Sequence, residues 1–309
     1  MRLAGTLKRF YRRIERDLMI TERFSIRTGF TMLALAAATA LTLSCAPAPE
    51  NARDTTELEG PRYISLNPCV DAMLVNVAAP HQVLAISHYS HDPASSSLEP
   101  DVASQFASTG GSVEELLVRD PDVVLASTFL SPATRQAMQE LGLMFRTFSS
   151  PTSVGESQEQ IRYLGELVYR SEEAAELILD IDRAIARNSP PADHRAISTV
   201  LWQPGEIVPG EQALISQLMR KAGFSSHSEA LGMGQADYLP LEFLLANPPE
   251  LLLIAGEARG QAHPALESLE NTRVETLDPA LLYCGGPTII KAMERLAEIR
   301  EEMRRGDAS

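Results

Sequence analysis

The chain has 309 residues, 44% of them apolar and 22% charged, a length and mix suited to one large or two moderate globular domains. Its net charge of −14 excludes the basic face with which a nucleic-acid binder meets phosphates.

The first 45 residues stand apart. "MRLAGTLKRFYRRIERDLMITERFSIRTG" is basic, "FTMLALAAATALTL" (Phe30 to Leu43) is an apolar run too short to span a bilayer comfortably, and small residues follow. Basic, apolar, then small is the order of a secretory signal over 1–45, with Met19 as a second candidate start. "LTLSC" resembles a bacterial lipobox, which implies lipidation of Cys45, although Thr42 stands where Leu is usual. Cleavage near Ala46 to Ala48, releasing a free periplasmic protein, is the alternative. Residues 46–61 read as a Pro-rich polar tether.

Predicted elements begin at Arg62. "RYISLN" (62–67) is a short strand and "PCVDAMLVNVAA" (68–79) has apolar residues at helical spacing. "QVLAIS" (82–87) is a buried strand, followed by the turn-rich loop "HYSHDPASSSLEPD". "SVEELLVRD" (112–120) is a helix capped by Ser112. "PDVVLAST" is a strand buried on both faces, "SPATRQAMQELG" a helix closed by Gly142, and "LMFRTFS" a further strand. Residues 62–152 therefore form an α/β lobe with a parallel sheet. Residues 153–190 hold two helical stretches without a strand between them. In the second, Leu177, Ile178, Ile181 and Ile185 make one apolar stripe. Alternation resumes over 191–305: strand "RAISTVLW", helix "GEQALISQLMRKAG" closed by Gly223, helix "LEFLLANP", strands "ELLLIAG" and "RVETLD", and the closing helix "GPTIIKAMERLAEIREEMRR".

One sentence is written twice. "VEELLVRDPDVVLA" (Val113 to Ala126) recurs 128 positions on as "LEFLLANPPELLLI" (Leu241 to Ile254), with Glu114 on Glu242, Leu116 on Leu244 and Pro121 on Pro249. Leu, Pro and the apolar run build any α/β unit, and a Glu in the first turn favours the helix dipole by itself.

The order and spacing of "RYISLNPCVDAMLVNV", "VLAISHYSHDP", "STGGSVEELLVRDPDVVLA", "YLPLEFLLANPPELLLIAG" and "LYCGGPTIIKAMERLA" resemble the bacterial ABC-transporter binding proteins for cobalamin and ferric siderophores, from about Arg62 to Arg300. The resemblance implies α/β architecture with two Rossmann-like lobes, mainly parallel sheets, a single long backbone helix joining them and a ligand cleft between. It implies a monomeric periplasmic carrier with no enzymatic activity and no intrinsic cofactor. The cargo would be a corrinoid, ferric siderophore or haem, the partner an ABC permease dimer with its ATPase, and the only membrane contact the anchor at Cys45. Each lobe of such proteins presents one surface Glu to the permease, which matches Glu114 and Glu242. Glu115 is a rival to Glu114, but Phe243 stands opposite it in the second copy.

Ligands of two-lobed α/β proteins sit at the carboxyl ends of strands. That selects Cys69, His88, Tyr89, His91, Thr109, Gly110 and Phe129 in the first lobe, and Trp202, Tyr238, Arg259, Tyr283 and Cys284 in the second. Tyr89 matches a tyrosine that family members place against a large flat ligand. Trp202, the only Trp, is either a ring platform or core. Arg259, flanked by glycine, suits a carboxylate or anionic chelate. His88 and His91 form a loose pair, short of a bare-metal site. Two cysteines remain after Cys45; an oxidising compartment suggests a disulfide, yet a bond between loops of opposite lobes would staple the cleft, so two thiols near the ligand are expected. The competing classes are a bare Zn or Mn carrier of related architecture and an extracytoplasmic enzyme. For the latter, no Gly-x-Ser-x-Gly, His-Glu-x-x-His or P-loop is present, leaving only Cys69 with a nearby His as a nucleophile pair.

Overall fold

The computed structural model describes residues 60–257 and 259–306; the signal segment, Cys45 and most of the tether lie outside the described residues. The first lobe opens with β1 (Tyr63–Ser65) and α1 (Pro68–Val77). Asn67 caps α1, its side chain accepting the Cys69 N–H at 2.8 Å, and Pro68 takes the first helical position, where no N–H is needed. There follow β2 (Val83–Ser87), α2 (Pro100–Ala103), β3 (Ser108–Thr109), α3 (Val113–Arg119), β4 (Val123–Ser127), α4 (Pro132–Glu140) and β5 (Phe145–Phe148). Their five strands pair in parallel in the order β3-β2-β1-β4-β5.

Two helices connect the lobes, α5 (Val154–Leu167) and the 18-residue α6 (Ser171–Asn188). Leu177 and Ile181 of the α6 stripe are buried, with Ile178 and Ile185 packed beside them. The second lobe contains β6 (Ile197–Trp202), β7 (Ile207–Val208), α7 (Leu214–Lys221), β8 (Phe224–Ser226), α8 (His227–Ala230), β9 (Asp237–Tyr238), α9 (Leu241–Ala246), β10 (Leu251–Ile254), β11 (Arg273–Thr276) and α10 (Thr288–Gly306). Its parallel sheet has the order β11-β10-β6-β8, and β7 and β9 form a separate antiparallel ribbon.

The inner strands β4 and β10 are buried on both faces, which is why they read as continuous apolar runs, whereas the edge strands β5 and β11 are partly or largely exposed. Leu251 and Leu253 of β10 join one large core shared with α1, α6 and α10, while Leu252 and Ile254 face a second cluster around Trp202. Tyr63 and Ile64 divide in the same way between the shared core and a first-lobe cluster.

The internal repeat extends past its quoted stretch. The spacing from α3 to α9 also carries β4 onto β10 and β5 onto β11. The helix between breaks the match: α4 is replaced by two 3-10 turns, Arg259–Ala262 and Pro264–Ser268. Four short strands appear where the sequence reading had loop or nothing. β3 and the β7-β9 ribbon are two residues each, and β8 is a polar "FSS" at a sheet edge, so none has an apolar run to announce it.

Candidate functional site

All strands within each main sheet run parallel, so their carboxyl ends lie along one edge and the loops leaving it form one rim per lobe. In the first lobe β1, β2, β3 and β4 deliver Asn67 to Cys69, His88 to His91, Gly110 and Phe129 to that rim. In the second, β6 leads into the β7-β9 ribbon with Tyr238, and the segment before α10 carries Tyr283 and Cys284. The decisive link is covalent. Cys69 and Cys284 form a disulfide, with Cα atoms 5.0 Å apart across 215 residues of sequence. The expectation of two thiols is therefore corrected: neither sulfur is a free ligand-facing thiol. The bond joins the first turn of α1 to the loop before α10.

Around the bond the lobes are fastened by polar contacts as well. Ser97 Oγ and Thr288 Oγ1 are 2.6 Å apart, and Lys291 Nζ is 2.6 Å from Glu99 Oε1. The Gly286 N–H donates to the buried Ser157 Oγ of α5 at 2.7 Å. Glycine is required here. A Cβ on Gly285 would stand 2.4 Å from Ser157 Oγ, and one on Gly286 would stand 2.6 Å from Met73 Cγ at a φ of +63°. "CGG" thus brings the second-lobe loop against α1 and α5.

The rings at the rims point outward. Phe129 is 82% exposed, and Tyr89, Tyr238 and Tyr283 are each more than half exposed. His88 lies against Tyr89 with ring centroids 4.0 Å apart, and its Nδ1 is 3.3 Å from the Thr109 carbonyl oxygen. Tyr283 donates its hydroxyl to Gln203 Oε1 at 2.8 Å. The Tyr238 hydroxyl interacts with the Glu206 carboxylate, which holds its pKa above the ordinary 10. His91 and Gly110 are exposed. Arg259 opens a 3-10 turn, and its side chain lies outside the described residues.

Two further site expectations are corrected. Trp202 is fully buried, its indole N–H donating to the Leu239 carbonyl at 3.0 Å, so it packs the second-lobe core and offers no ring to the cleft. It ends a strand whose other face is also covered, which its position at a strand end did not reveal. Thr109 is buried too, and its hydroxyl donates to Glu115 Oε2 at 2.5 Å.

That contact separates the paired acids. Glu115 Oε2 also accepts the Gly110 N–H at 2.8 Å; the Thr109 hydroxyl, then this N–H, lower its pKa. Glu115 is thus the tie of the Thr109–Gly111 loop. Glu114 is exposed, and Glu242 is exposed at the matching place on α9; neither has a hydrogen bond or ion pair among the described residues. Each stands in the first turn of a helix that precedes a central strand of its sheet, hence at the carboxyl-edge level of its lobe.

Asp71 is the residue that sequence reasoning missed. It is fully buried in α1, two residues from Cys69. Its Oδ2 accepts the Ser87 N–H at 2.9 Å and the Ser90 hydroxyl at 2.6 Å, tying the Tyr89 loop to α1. Burial pushes its carboxyl up to about 7, against the pull of those hydrogen bonds. The available signal was an acid inside the apolar "PCVDAMLV". Among the described residues no three His, Cys, Asp or Glu converge on a metal site, and no helix is long and apolar enough to cross a membrane.

Residues 64–277 match the sequence model of a periplasmic binding protein family. The chain belongs to that family. The family implies an extracytoplasmic solute carrier that works with an ABC permease and its ATPase. No curated protein matches. Solved structures of the same fold include a periplasmic heme-binding protein from Roseiflexus sp. RS-1, at 16% identity and a TM-score of 0.63 over 77% of this chain and 97% of that one. A periplasmic heme-binding protein from Pseudomonas aeruginosa is 18% identical, with a TM-score of 0.61 over 77% and 92%. The periplasmic vitamin B12 binding protein of Vibrio cholerae is 17% identical, with a TM-score of 0.58 over 77% and 96%.

Proposed function

We propose that this periplasmic binding protein captures a flat metal chelate, a haem or a corrinoid, and delivers it to an ABC permease. The observation that carries the reading is the set of exposed rings, Tyr89, Phe129, Tyr238 and Tyr283, on loops at the carboxyl edges of the two sheets. An aromatic held outward in water costs apolar exposure in the empty protein and gives broad contact to a flat ligand at little entropic cost. A ferric siderophore is the neighbouring cargo class. Solved proteins of this fold that carry haem or vitamin B12 support the range. Residues 62–152 and 191–305 act as the two ligand-holding lobes, a lipidated Cys45 tethers them to a membrane, and the carrier works as a monomer.

Titration with haem, cobalamin, cobinamide and several ferric siderophores tests this, read by the chelate's own absorbance and by calorimetry, since Trp202 is a core residue. A tetrapyrrole should saturate at one site, and Tyr89→Ala and Phe129→Ala should each weaken it about ten-fold, the worth of one ring contact. Saturation by none of the tetrapyrroles rejects the assignment. For delivery, Glu114→Ala with Glu242→Ala should leave chelate affinity unchanged and reduce uptake; unchanged uptake removes the docking role.

A further inference from the structure

Asp71 sits beneath the loop that carries Tyr89, among buried hydroxyls. Ser65, Ser87 and Ser90 are, like Asp71, at most 2% exposed. Asp71 Oδ2 accepts the Ser87 N–H at the end of β2 and the Ser90 hydroxyl in the turn His88–His91, so both bonds grip the Tyr89 loop. Oδ1 is buried without a hydrogen bond, and the Ser65 hydroxyl acts on the carboxyl from β1. An unbonded oxygen in a closed interior suits a neutral acid, whose proton it can carry, and penalises a carboxylate. Among the described residues no charged side chain contributes to the shift of Asp71, which burial dominates. α5 and α6 place Ile161, Leu164 and Ile181 in the core they share with α1. On the loop itself His88 turns Nδ1 to the Thr109 carbonyl oxygen, and His91 is exposed.

The two sides of this contact differ in freedom. α1 is held by the Cys69–Cys284 bond in its first turn and by Gly286 packed against Met73. The loop is a surface turn in which His88, Tyr89, His91 and Asp92 are exposed, and it is tied again at Ser97, to Thr288 of α10. An ionised Asp71 is relieved by water, and the side that can yield to admit water is the loop. We propose that Asp71 is a proton-dependent latch, a positioning residue that seats Tyr89 while it carries its proton and frees the loop when the proton is lost. The latch stands on this geometry. Its consequence for cargo rests on the reading of Tyr89 as a ligand ring. A chelate lying on Tyr89 shuts out water and keeps the proton in place, so capture takes up protons and rising pH weakens it.

The test begins with the mature chain free of ligand. Hydrogen exchange of residues 83–96, corrected for the intrinsic rate at each pH, is followed from pH 5 to 8. Opening lets the carboxyl fall from about 7 towards its ordinary 3.8. Exchange should therefore rise with pH and level off near 7, by about ten-fold or more in all. Asp71→Asn keeps an oxygen for Ser87 and Ser90 but has no proton to lose, so its profile should be flat and low. Ser90→Ala, which removes one grip, should exchange faster than the parent at pH 5. His88→Gln with His91→Gln should keep the parent's rise. A parent profile without the rise, an Asp71→Asn profile that retains it, a rise lost with the two histidines, or a Ser90→Ala variant that matches the parent at pH 5 overturns the latch. Haem and cyanocobinamide are then titrated at pH 6.5 and 8.5. For whichever saturates, the ratio of Kd at 8.5 to Kd at 6.5 should be about three-fold or more larger in the parent than in Asp71→Asn, a comparison that cancels titration of the chelate itself. Equal ratios overturn the link to cargo. Saturation by neither rejects the cargo reading, and the exchange profiles still decide the latch.

Discussion

The two lobes begin the same helix in different ways. In the first lobe α3 is closed from within: Ser112 accepts the Glu115 N–H at 3.2 Å, and the Glu115 carboxylate ties back Thr109 and Gly110. In the second, Pro240 has no side chain to cap α9, and Phe243 replaces Glu115. The acid comes instead from the turn between β6 and β7, where Glu206 Oε1 receives the Leu241 N–H at 3.3 Å. Next along the chain, the α4 helix of one lobe becomes two 3-10 turns in the other. What stays constant is the buried strand pair and the exposed Glu in the first turn. The flanks of a parallel sheet can be rebuilt when another element supplies the missing group, whereas the strands that share the core cannot. An exposed carboxylate kept in register while its neighbours change is therefore a feature of the surface, with no packing reason behind it.

The largest test of this comparison removes the covalent tie between the lobes. Cys69→Ser with Cys284→Ser should cost on the order of 2–5 kcal/mol, since the bond closes a loop of 215 residues. Urea unfolding followed by probes in each lobe should change from one transition to two; coincident transitions would mean that the shared core alone couples the lobes. Next is pH. Among the described residues Asp71 is the only buried acid, and its bonds go to Ser87 and Ser90 of the first lobe, so its titration should act on that lobe. Unfolded, it titrates near 3.8, and folded near 7. Between those values only the folded form holds the proton, so this group's stabilisation is full at acid pH and is lost as pH rises through 7. Asp71→Asn should flatten the fall in urea midpoint between pH 5 and 8, an effect of about 2 kcal/mol. A slope unchanged by the substitution would show that Asp71 does not carry it.

Smaller still is the pair of helix-start acids. Glu115→Ala and Glu206→Ala should each lower the unfolding midpoint slightly, with the first also raising amide exchange at Gly110 and Gly111, as measured by NMR. Equal exchange there in both variants would contradict the local tie. Least of all, Glu114→Ala and Glu242→Ala should each cost no more than the helix-dipole contribution, about 0.3–1 kcal/mol, because neither carboxylate has a hydrogen bond or ion pair among the described residues. A drop clearly beyond that would show a packing role and weaken the docking reading.

Much of the fold was legible because its signals are local. Ser112, Gly142 and Gly223 mark helix ends by the bonds and φ values that only such residues supply; Gly142 and Gly223 stand at +72° and +97°. "VVLA" and "LLLI" read as strands because these inner strands are covered on both faces, and the absence of a strand between Ser153 and Pro190 predicted the helical connector. The site was less legible. Tyr89, Phe129, Tyr238 and Tyr283 were placed on the rims by the rule that parallel strands deliver their loops to one edge. Its polar loop set Tyr89 apart from Trp202, whose place at a strand end left platform and core both open, but nothing local told Phe129 from Thr109, which turned inward. Whether a ring at a strand end is covered depends on what packs across it, here Leu239 and its neighbours, brought in by the β7-β9 ribbon.

By itself, then, the amino-acid sequence determined the alternation of elements, the repeat that aligns Glu114 with Glu242, and the family to which the chain belongs, because caps, apolar periods and motif spacing act within a few residues. Only the tertiary structure decided that Cys69 meets Cys284, that Asp71 carries the Tyr89 loop, and that of two adjacent acids Glu115 is tied down while Glu114 is not. Those outcomes depend on sheet order and on glycines that let one lobe's loop touch the other lobe's helices. No window of sequence contains both partners of such a contact.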